Sequence, residues 1–495
     1  DQTGARLLEE ARRIGTPLLI KASAGGGGRG MRVVDDLARF DEALDAAKRE
    51  AQSAFGSDAI LLERYLRRPR HIEFQVLADE RGNTIHLGER ECSIQRRHQK
   101  ILEEAPSVAL TPQLRAAMGA AAVRAARSVG YVNAGTCEFM LDEDGRFYFL
   151  EMNTRLQVEH PVTELVYGID LGHWQLRIAN GDALTIAQDD VRPRGWAIET
   201  RIYAEDPANH LLPSTGTISR WEPPQGPGIR VDAGVQTGST VSVYYDPMLA
   251  KLIVWAADRD GAVARLTDAL ERFHIGGIRA NVPLLLWIAR DAAYRAGDTT
   301  TQFLTERLDE SIFNARAASK GDALLAAGAL LRDGRAPWRL GGVGIPLRLR
   351  SGTAEYALEA ELTRDPDAWR LTGDIEGLLR VESVRGVLAV SLDGERYVAD
   401  GAAPEFAFAD APSLDGAVNA GGAAASGRIV APMPGKVIKV AVTQGAAVAQ
   451  HGLLVVLEAM KMEHRIEAPG AGTVKSIFVK EGEIVAGATA LVELT

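Results

Sequence analysis

Short apolar runs alternate with helix-spaced apolar positions along the first three hundred residues. Residues 17–22, 71–78 and 146–152 read as strands, while 113–129 and 261–273 carry apolar side chains at helical spacing. This mixture predicts an α+β body over residues 1–315. A further helical stretch at 322–332 precedes short alternating runs at 356–362, 378–383 and 387–392, the last closed by Asp393-Gly394. Together these predict a small β-rich domain, barrel or sandwich, within residues 321–408.

Residues 409–427 are Ala, Gly, Ser and Pro with almost no bulky side chains, which predicts a flexible linker. The stretch 428–495 repeats internally at an offset of 37: Ala431 with Ala468, Pro432 with Pro469, Gly435 with Gly472, Val437 with Val474, Gly445 with Gly482 and Leu454 with Leu491. One register kept over so many positions predicts two β-rich halves related by pseudo-symmetry. Lys461 falls at their junction, in Glu458-Ala459-Met460-Lys461-Met462, where a tight hairpin would present it.

Composition narrows the function classes. A chain of 495 residues suggests about three domains, and 46% hydrophobic with 25% charged residues is ordinary for a globular protein. No apolar run approaches the roughly 20 residues of a membrane helix. A net charge of −10 argues against a dedicated nucleic-acid binder. Cys92 and Cys137 are the two cysteines, so a reducing compartment such as the cytoplasm is expected. The chain opens at Asp1 without an initiator Met and reads as a fragment or a processed chain.

Candidate chemistry begins at Ser23-Ala24-Gly25-Gly26-Gly27-Gly28-Arg29-Gly30, between two strand-like runs. Glycines let backbone N–H groups approach a phosphate, but no Gly-Lys-Ser/Thr opens a helix here, so this is not a Walker A loop. A strand, glycine loop and strand closing over phosphates is the lid of an ATP-grasp fold, expected at about residues 15–70. Glu138 and Glu151 lie near the ends of two strands joined by an Asp-Glu-Asp-Gly turn, with Asn153 adjacent. Paired hard-oxygen ligands of this kind suit Mg²⁺. Arg96, Arg97, His98 and Lys100 form a basic knot, and residues 153–161 mix Arg155, Gln157, Glu159 and His160. Cations beside a carboxylate fit a small anion such as bicarbonate, with an acid/base group at hand.

Taken together, these segments resemble biotin carboxylase over residues 1–315, and Glu458–Met462 resembles the signature of biotinyl domains, with a lipoyl domain as the nearest alternative. The resemblance implies an ATP-grasp body, a small β-rich domain and an all-β biotinyl domain shaped as a flattened barrel. It implies ATP contacts at Lys21, the loop glycines Gly26, Gly27 and Gly28, Glu63, His71, Gln95 and His98. It implies Mg²⁺ (or Mn²⁺) at Glu138, Glu151 and Asn153, and bicarbonate and biotin-ring contacts at Lys100, Arg155, Gln157 and Val158. Glu159 is similar to the general base acting on bicarbonate, Arg201 to the residue that stabilises the biotin enolate, and Lys461 to the lysine amide-linked to biotin. Biotin carboxylases begin with a further domain that completes the ATP site, and that domain is expected ahead of Asp1.

Domain order resembles the α subunit of an acyl-CoA carboxylase, of the methylcrotonyl- or geranyl-CoA type from the Met462-Glu463-His464 continuation. The propionyl- or acetyl-CoA type, and a carrier subunit with a dead ATP site, are the alternatives. The resemblance implies a hetero-oligomer with a carboxyltransferase β subunit docked through residues 321–408. Biotin protein ligase would be a further partner, and the mitochondrial matrix the compartment in a eukaryote.

Overall fold

The computed structural model describes residues 2–24, 31–96, 99–313, 319–332, 345–351, 354–365, 367–384, 387–398, 407–408, 428–460 and 462–495. Its chain forms two compact units, one from residues 1–207 and 211–309, the other from 208–210 and 310–495.

In the first unit, helix α1 (Gly4–Ile14) precedes strands β1 (Leu18–Ala22) and β2 (Met31–Val34), helix α2 (Phe40–Phe55) and strand β3 (Ile60–Arg64). The three strands form an antiparallel sheet in the order β2-β1-β3. Helix α1 packs on this sheet, because Leu7 and Ala11, one turn apart, bury against Leu18, Ile20, Phe40 and Leu44.

An eight-stranded antiparallel sheet forms the rest of this unit's centre. Its strands in chain order include β4 (Arg70–Ala78), β5 (Thr84–Arg96), β6 (Gln99–Ala105), β7 (Asn133–Leu141), β8 (Phe147–Asn153) and β9 (Trp196–Tyr203). Across the sheet the order runs Ile229–Ala233, Met248–Ala256, then β9-β6-β5-β4-β7-β8. Helix α3 (Pro112–Ser128) sits between β6 and β7 in sequence. It starts where Thr111 Oγ1 accepts the Leu114 N–H at 3.2 Å, with Pro112 in the first turn. Its Met118, Ala122 and Ala126 pack on Ile72, Phe74, Val76, Cys137 and Phe139.

Strand alternation assigns the opposite face. On β4, Ile72, Phe74 and Val76 turn to α3, so His71, Glu73 and Gln75 turn the other way, and all six are buried. On β7, Cys137 and Phe139 take the α3 side and leave Thr136 and Glu138 with the polar set. A strand buried on both faces has thus placed one whole row of polar side chains inside the protein.

The second unit contains a seven-stranded antiparallel sheet. Its order is Glu395–Val398, Val387–Leu392, Gly377–Val384, Ala368–Gly373, Ala354–Leu362, Ile345–Ser351 and Ala407–Phe408. Helix Lys320–Arg332 packs on it through Ala323, Leu324, Ala327 and Leu331 against Leu347, Leu358, Leu379 and Val390. A Cβ at Gly328 would stand 2.5 Å from Val390 Cγ1, so the helix lies as close as a bare backbone allows.

Residues 428–495 make two four-stranded sheets. One orders Arg428–Val430, Ala490–Leu494, Gly472–Ile477 and Ala447–Val448, and the other Met462–Glu467, Leu453–Ala459, Gly435–Val440 and Ile484–Val485. Shifting any strand of one sheet by the repeat offset lands on the strand at the same place in the other. The repeat in the sequence is therefore a two-fold symmetry in space. Leu453–Ala459 and Met462–Glu467 pair up to Ala459 opposite Met462, which leaves a two-residue turn with Met460 at φ +50°. Lys461 lies outside the described residues, as do the linker at 409–427 and the loop glycines.

Gly328→Leu should destabilise the second unit by about 1–3 kcal/mol by forcing the helix off Val390. Urea unfolding followed by circular dichroism measures this, and a midpoint equal to the parent's would show that the helix–sheet contact is not tight.

Candidate active site

The polar faces of β4, β6, β7 and β9 meet where the chain leaves β8. Lys100, near the start of β6, has its ammonium among three carboxylates: Glu73 Oε2 at 2.5 Å, Glu159 Oε1 at 2.7 Å and Glu138 Oε1 at 3.1 Å. Glu159 is the residue just before helix His160–Tyr167, and its side chain does not cap that helix. Instead Oε2 accepts from Arg201 at 3.0 Å, and Arg201 also donates through Nε to Glu103 Oε1 at 2.6 Å. Both oxygens of Glu159 are thus held by cations from two neighbouring strands.

Behind Lys100 lies Arg90, on β5 and fully buried. It donates to Glu73 at 2.5 Å, to Gln75 and Gln157 at 2.8 Å, to Thr163 at 2.9 Å and to Thr136 at 3.1 Å. Gln157 passes the network on, donating to Glu138 Oε1 at 2.8 Å. Glu138 is further bound by His71 at 2.9 Å and by Asn153 Nδ2 at 3.0 Å.

Burial alone would raise the Glu73 carboxyl, but Arg90 and Lys100 outweigh it and hold Glu73 at about 2. Burial opposes ionisation of Glu138 as well; the His71 hydrogen bond and the Lys100 charge bring it down to about 2. For Lys100 burial would favour the neutral amine, yet the surrounding carboxylates, Glu73 foremost, push its pKa up.

The β7–β8 hairpin pairs Glu138 with Glu151 and Thr136 with Asn153. Asn153 Nδ2 also reaches Glu151 Oε1 at 3.3 Å, and Arg155 donates to Asn153 Oδ1 at 3.2 Å. Two carboxylates side by side across a ladder repel unless something joins them, and here the Asn153 amide nitrogen donates to both.

Among the sequence-predicted residues, Lys100, Glu159, Arg201, His71, Gln157, Glu138, Glu151, Asn153 and Arg155 form one connected cluster. Gln95 stands directly opposite Lys100 across the β5–β6 hairpin. Val158 enters through its backbone, whose carbonyl accepts from Lys251 Nζ at 2.7 Å. Lys21 and Glu63 pair with each other at 2.7 Å on the small sheet. Gly26, Gly27, Gly28, His98 and Lys461 lie outside the described residues. Sequence reasoning missed Glu73, Arg90, Glu103, Glu199 and Lys251. The signal for Glu73 was present in His71-Ile72-Glu73-Phe74-Gln75-Val76, a strand whose apolar positions alternate with polar ones.

Known proteins match along nearly the whole chain. Residues 2–187 match the carbamoyl-phosphate synthase L chain ATP-binding domain, 199–306 the biotin carboxylase C-terminal domain, and 427–494 the biotin-requiring enzyme family. The methylcrotonoyl-CoA carboxylase α subunit of Rattus norvegicus is 39% identical over 97% of this chain and 72% of its own length. The Homo sapiens propionyl-CoA carboxylase α chain is likewise 39% identical, over 98% of this chain and 71% of its own. The chain belongs to the biotin-dependent acyl-CoA carboxylase α-subunit family.

Solved structures agree with that membership. The biotin carboxylase domain of Hydrogenobacter thermophilus 2-oxoglutarate carboxylase, in complex with MgADP and bicarbonate, is 48% identical with a TM-score of 0.60, covering 64% of this chain and 69% of that one. Biotin carboxylase from Campylobacter jejuni is 42% identical with a TM-score of 0.59, covering 62% and 68%. Membership of this family makes the protein an ATP-dependent ligase of the biotin carboxylase class. Among the described residues, no helix is long and apolar enough to cross a membrane.

Glu73 and Glu138, held at about 2 against an ordinary 4.5, contribute stability that is present above 4.5 and lost as pH falls towards 2. Acid titration of the near-ultraviolet circular dichroism should therefore show the first unit losing tertiary structure across that interval. Stability independent of pH there would mean that the two acids are not ionised inside the fold.

Proposed function

We propose that the protein carboxylates biotin carried on its own Lys461, using ATP and bicarbonate, and that it hands the carboxyl group to a separate carboxyltransferase β subunit. The observation that carries this is Glu159, a carboxylate fixed by Lys100 on one oxygen and by Arg201 on the other, beside a second acidic pair suited to Mg²⁺.

Bicarbonate enters as an anion, and Lys100 and Arg155 are the cations that receive it. Glu159 accepts its proton, because each carboxylate oxygen keeps a lone pair after accepting one hydrogen bond. The bicarbonate oxygen then attacks the γ-phosphorus and ADP leaves; the carboxyphosphate so formed splits into CO₂ and phosphate, the phosphate takes the proton from biotin N1, and N1 attacks the CO₂. Glu138, Glu151 and Asn153 would hold Mg²⁺, which when bound neutralises charge on the phosphates. Lys21, Glu63, His71, Gln95, His98 and the loop glycines Gly26, Gly27 and Gly28 would line the nucleotide. Gln157 and the backbone of Val158 orient the anion, and Arg201 faces the oxygen of the biotin ring. Cationic donors fixed before the reaction need no reorganisation as charge moves between the partners.

Methylcrotonyl-CoA, or geranyl-CoA, is the acyl-CoA we favour downstream, from the residues after Lys461. Propionyl-CoA is the second reading, because the human propionyl-CoA carboxylase α chain is as similar as the rat methylcrotonoyl-CoA carboxylase subunit, each at 39% identity. Biotin protein ligase would load Lys461. The mitochondrial matrix in a eukaryote, or the cytoplasm in a bacterium, would be the compartment.

Glu159→Gln should lower bicarbonate-dependent ATP hydrolysis by about 10²–10⁴-fold while leaving nucleotide binding intact. A rate within a few-fold of the parent protein would move the base elsewhere. Lys461→Arg keeps the charge but should abolish avidin binding after treatment with biotin protein ligase. Avidin binding that persists would place the biotin on another lysine.

A further inference from the structure

Behind Arg201 the sheet buries two carboxylates that the proposed reaction leaves unused. Glu103 on β6 and Glu199 on β9 stand directly opposite each other in the antiparallel ladder, and both are fully buried. Residues so paired have Cβ atoms about 4.5–5.5 Å apart. Glu103 Oε1 accepts from Arg201, but its Oε2 and both oxygens of Glu199 have no hydrogen-bond partner among the described residues.

The charges around the pair do not balance two anions. Arg201 is shared between Glu103 and Glu159. Lys251, on the strand beyond β9, comes only to 4.0 Å from Glu199 and is closer to Asp232, at 3.5 Å, and to the Val158 carbonyl. Lys100 on β6 is engaged by its three carboxylates, and the Cys92 thiol on β5 is buried nearby. Two ionised carboxylates face to face, with three unsatisfied oxygens, are what a protein interior avoids.

We infer that Glu103 and Glu199 share one proton at neutral pH, and that the resulting singly charged pair positions Arg201 on Glu159. A proton on Glu199 gives Glu103 Oε2 a donor and removes the repulsion across the ladder. Glu103 keeps the one charge that holds Arg201 Nε, so the other end of the guanidinium stays on Glu159. Burial pushes both acids up: Glu103 to about 7 against the pull of Arg201, and Glu199 well above its ordinary value, with the Glu103 charge adding to the effect. Loss of the proton places a second negative charge behind Arg201 and draws the guanidinium away from Glu159. The proton sharing stands on this geometry alone, while its effect on rate rests on the proposed roles of Glu159 and Arg201.

Infrared spectroscopy of the whole chain tests the sharing without any activity. The wild type at pH 7 should show the carbonyl stretch of a protonated carboxylic acid, which fades as pH rises and which Glu199→Gln removes. If that variant does not fold, Glu103→Gln, which also leaves a single acid in the pair, should remove the same band. Bicarbonate-dependent ATP hydrolysis tests the positioning: the alkaline limb of kcat should move up by about one pH unit in Glu199→Gln, because the amide cannot lose a proton. A purely structural role would lower the rate equally at every pH. Identical infrared spectra of wild type and Glu199→Gln would overturn the shared proton. A lost band with an unshifted alkaline limb would overturn the positioning role, and an inactive parent with the band lost would count against the proposed reaction and leave the proton in place.

Discussion

The ammonium of Lys100 is the fixed point of the first unit. Glu73, Glu138 and Glu159 arrive from β4, β7 and the start of a helix, and three buried carboxylates would drive one another apart without a cation between them. One amine is not enough charge, and Arg90 and Arg201 supply the rest from β5 and β9. Buried ion pairs repay their desolvation only when nearly every donor and acceptor is used, and Arg90, with five hydrogen-bonded partners, meets that condition. The order of strands in the sheet therefore cannot change without exposing or orphaning a charge.

Much of this was legible in the sequence where chemistry and local pattern coincide. The Glu138–Glu151 pairing follows from a hairpin with an obvious turn, and the offset of 37 residues carries directly into the two sheets of residues 428–495. Lys100, Glu159 and Arg201 were found through the strings around them. Glu73, Arg90, Glu103, Glu199 and Lys251 were not, because each is a charge in the middle of a strand that reads as core. Their roles come from partners far away in sequence: Arg90 meets Thr163 and Gln157, and Lys251 meets the Val158 carbonyl. Helix α1 escaped notice because Leu7 and Ala11 become core only once the small sheet is beneath them.

The symmetric fold of residues 428–495 bears on the same chemistry from the other side. Met460, the residue before Lys461, is buried with a positive φ. In the proposed function Lys461 delivers a group to two separate sites. Tethering to the same chain as the ATP-grasp body raises its effective concentration there.

The central claim is that Lys100 gathers the three carboxylates and fixes Glu159 where it can take the proton of bicarbonate. Bicarbonate-dependent phosphate release from ATP by Lys100→Met, compared with the parent protein, tests it most directly. The account predicts a fall of at least about 10²-fold, the loss expected when a fixed cationic donor is removed from the transition state. A folded Lys100→Met protein that releases phosphate at the parental rate would contradict it.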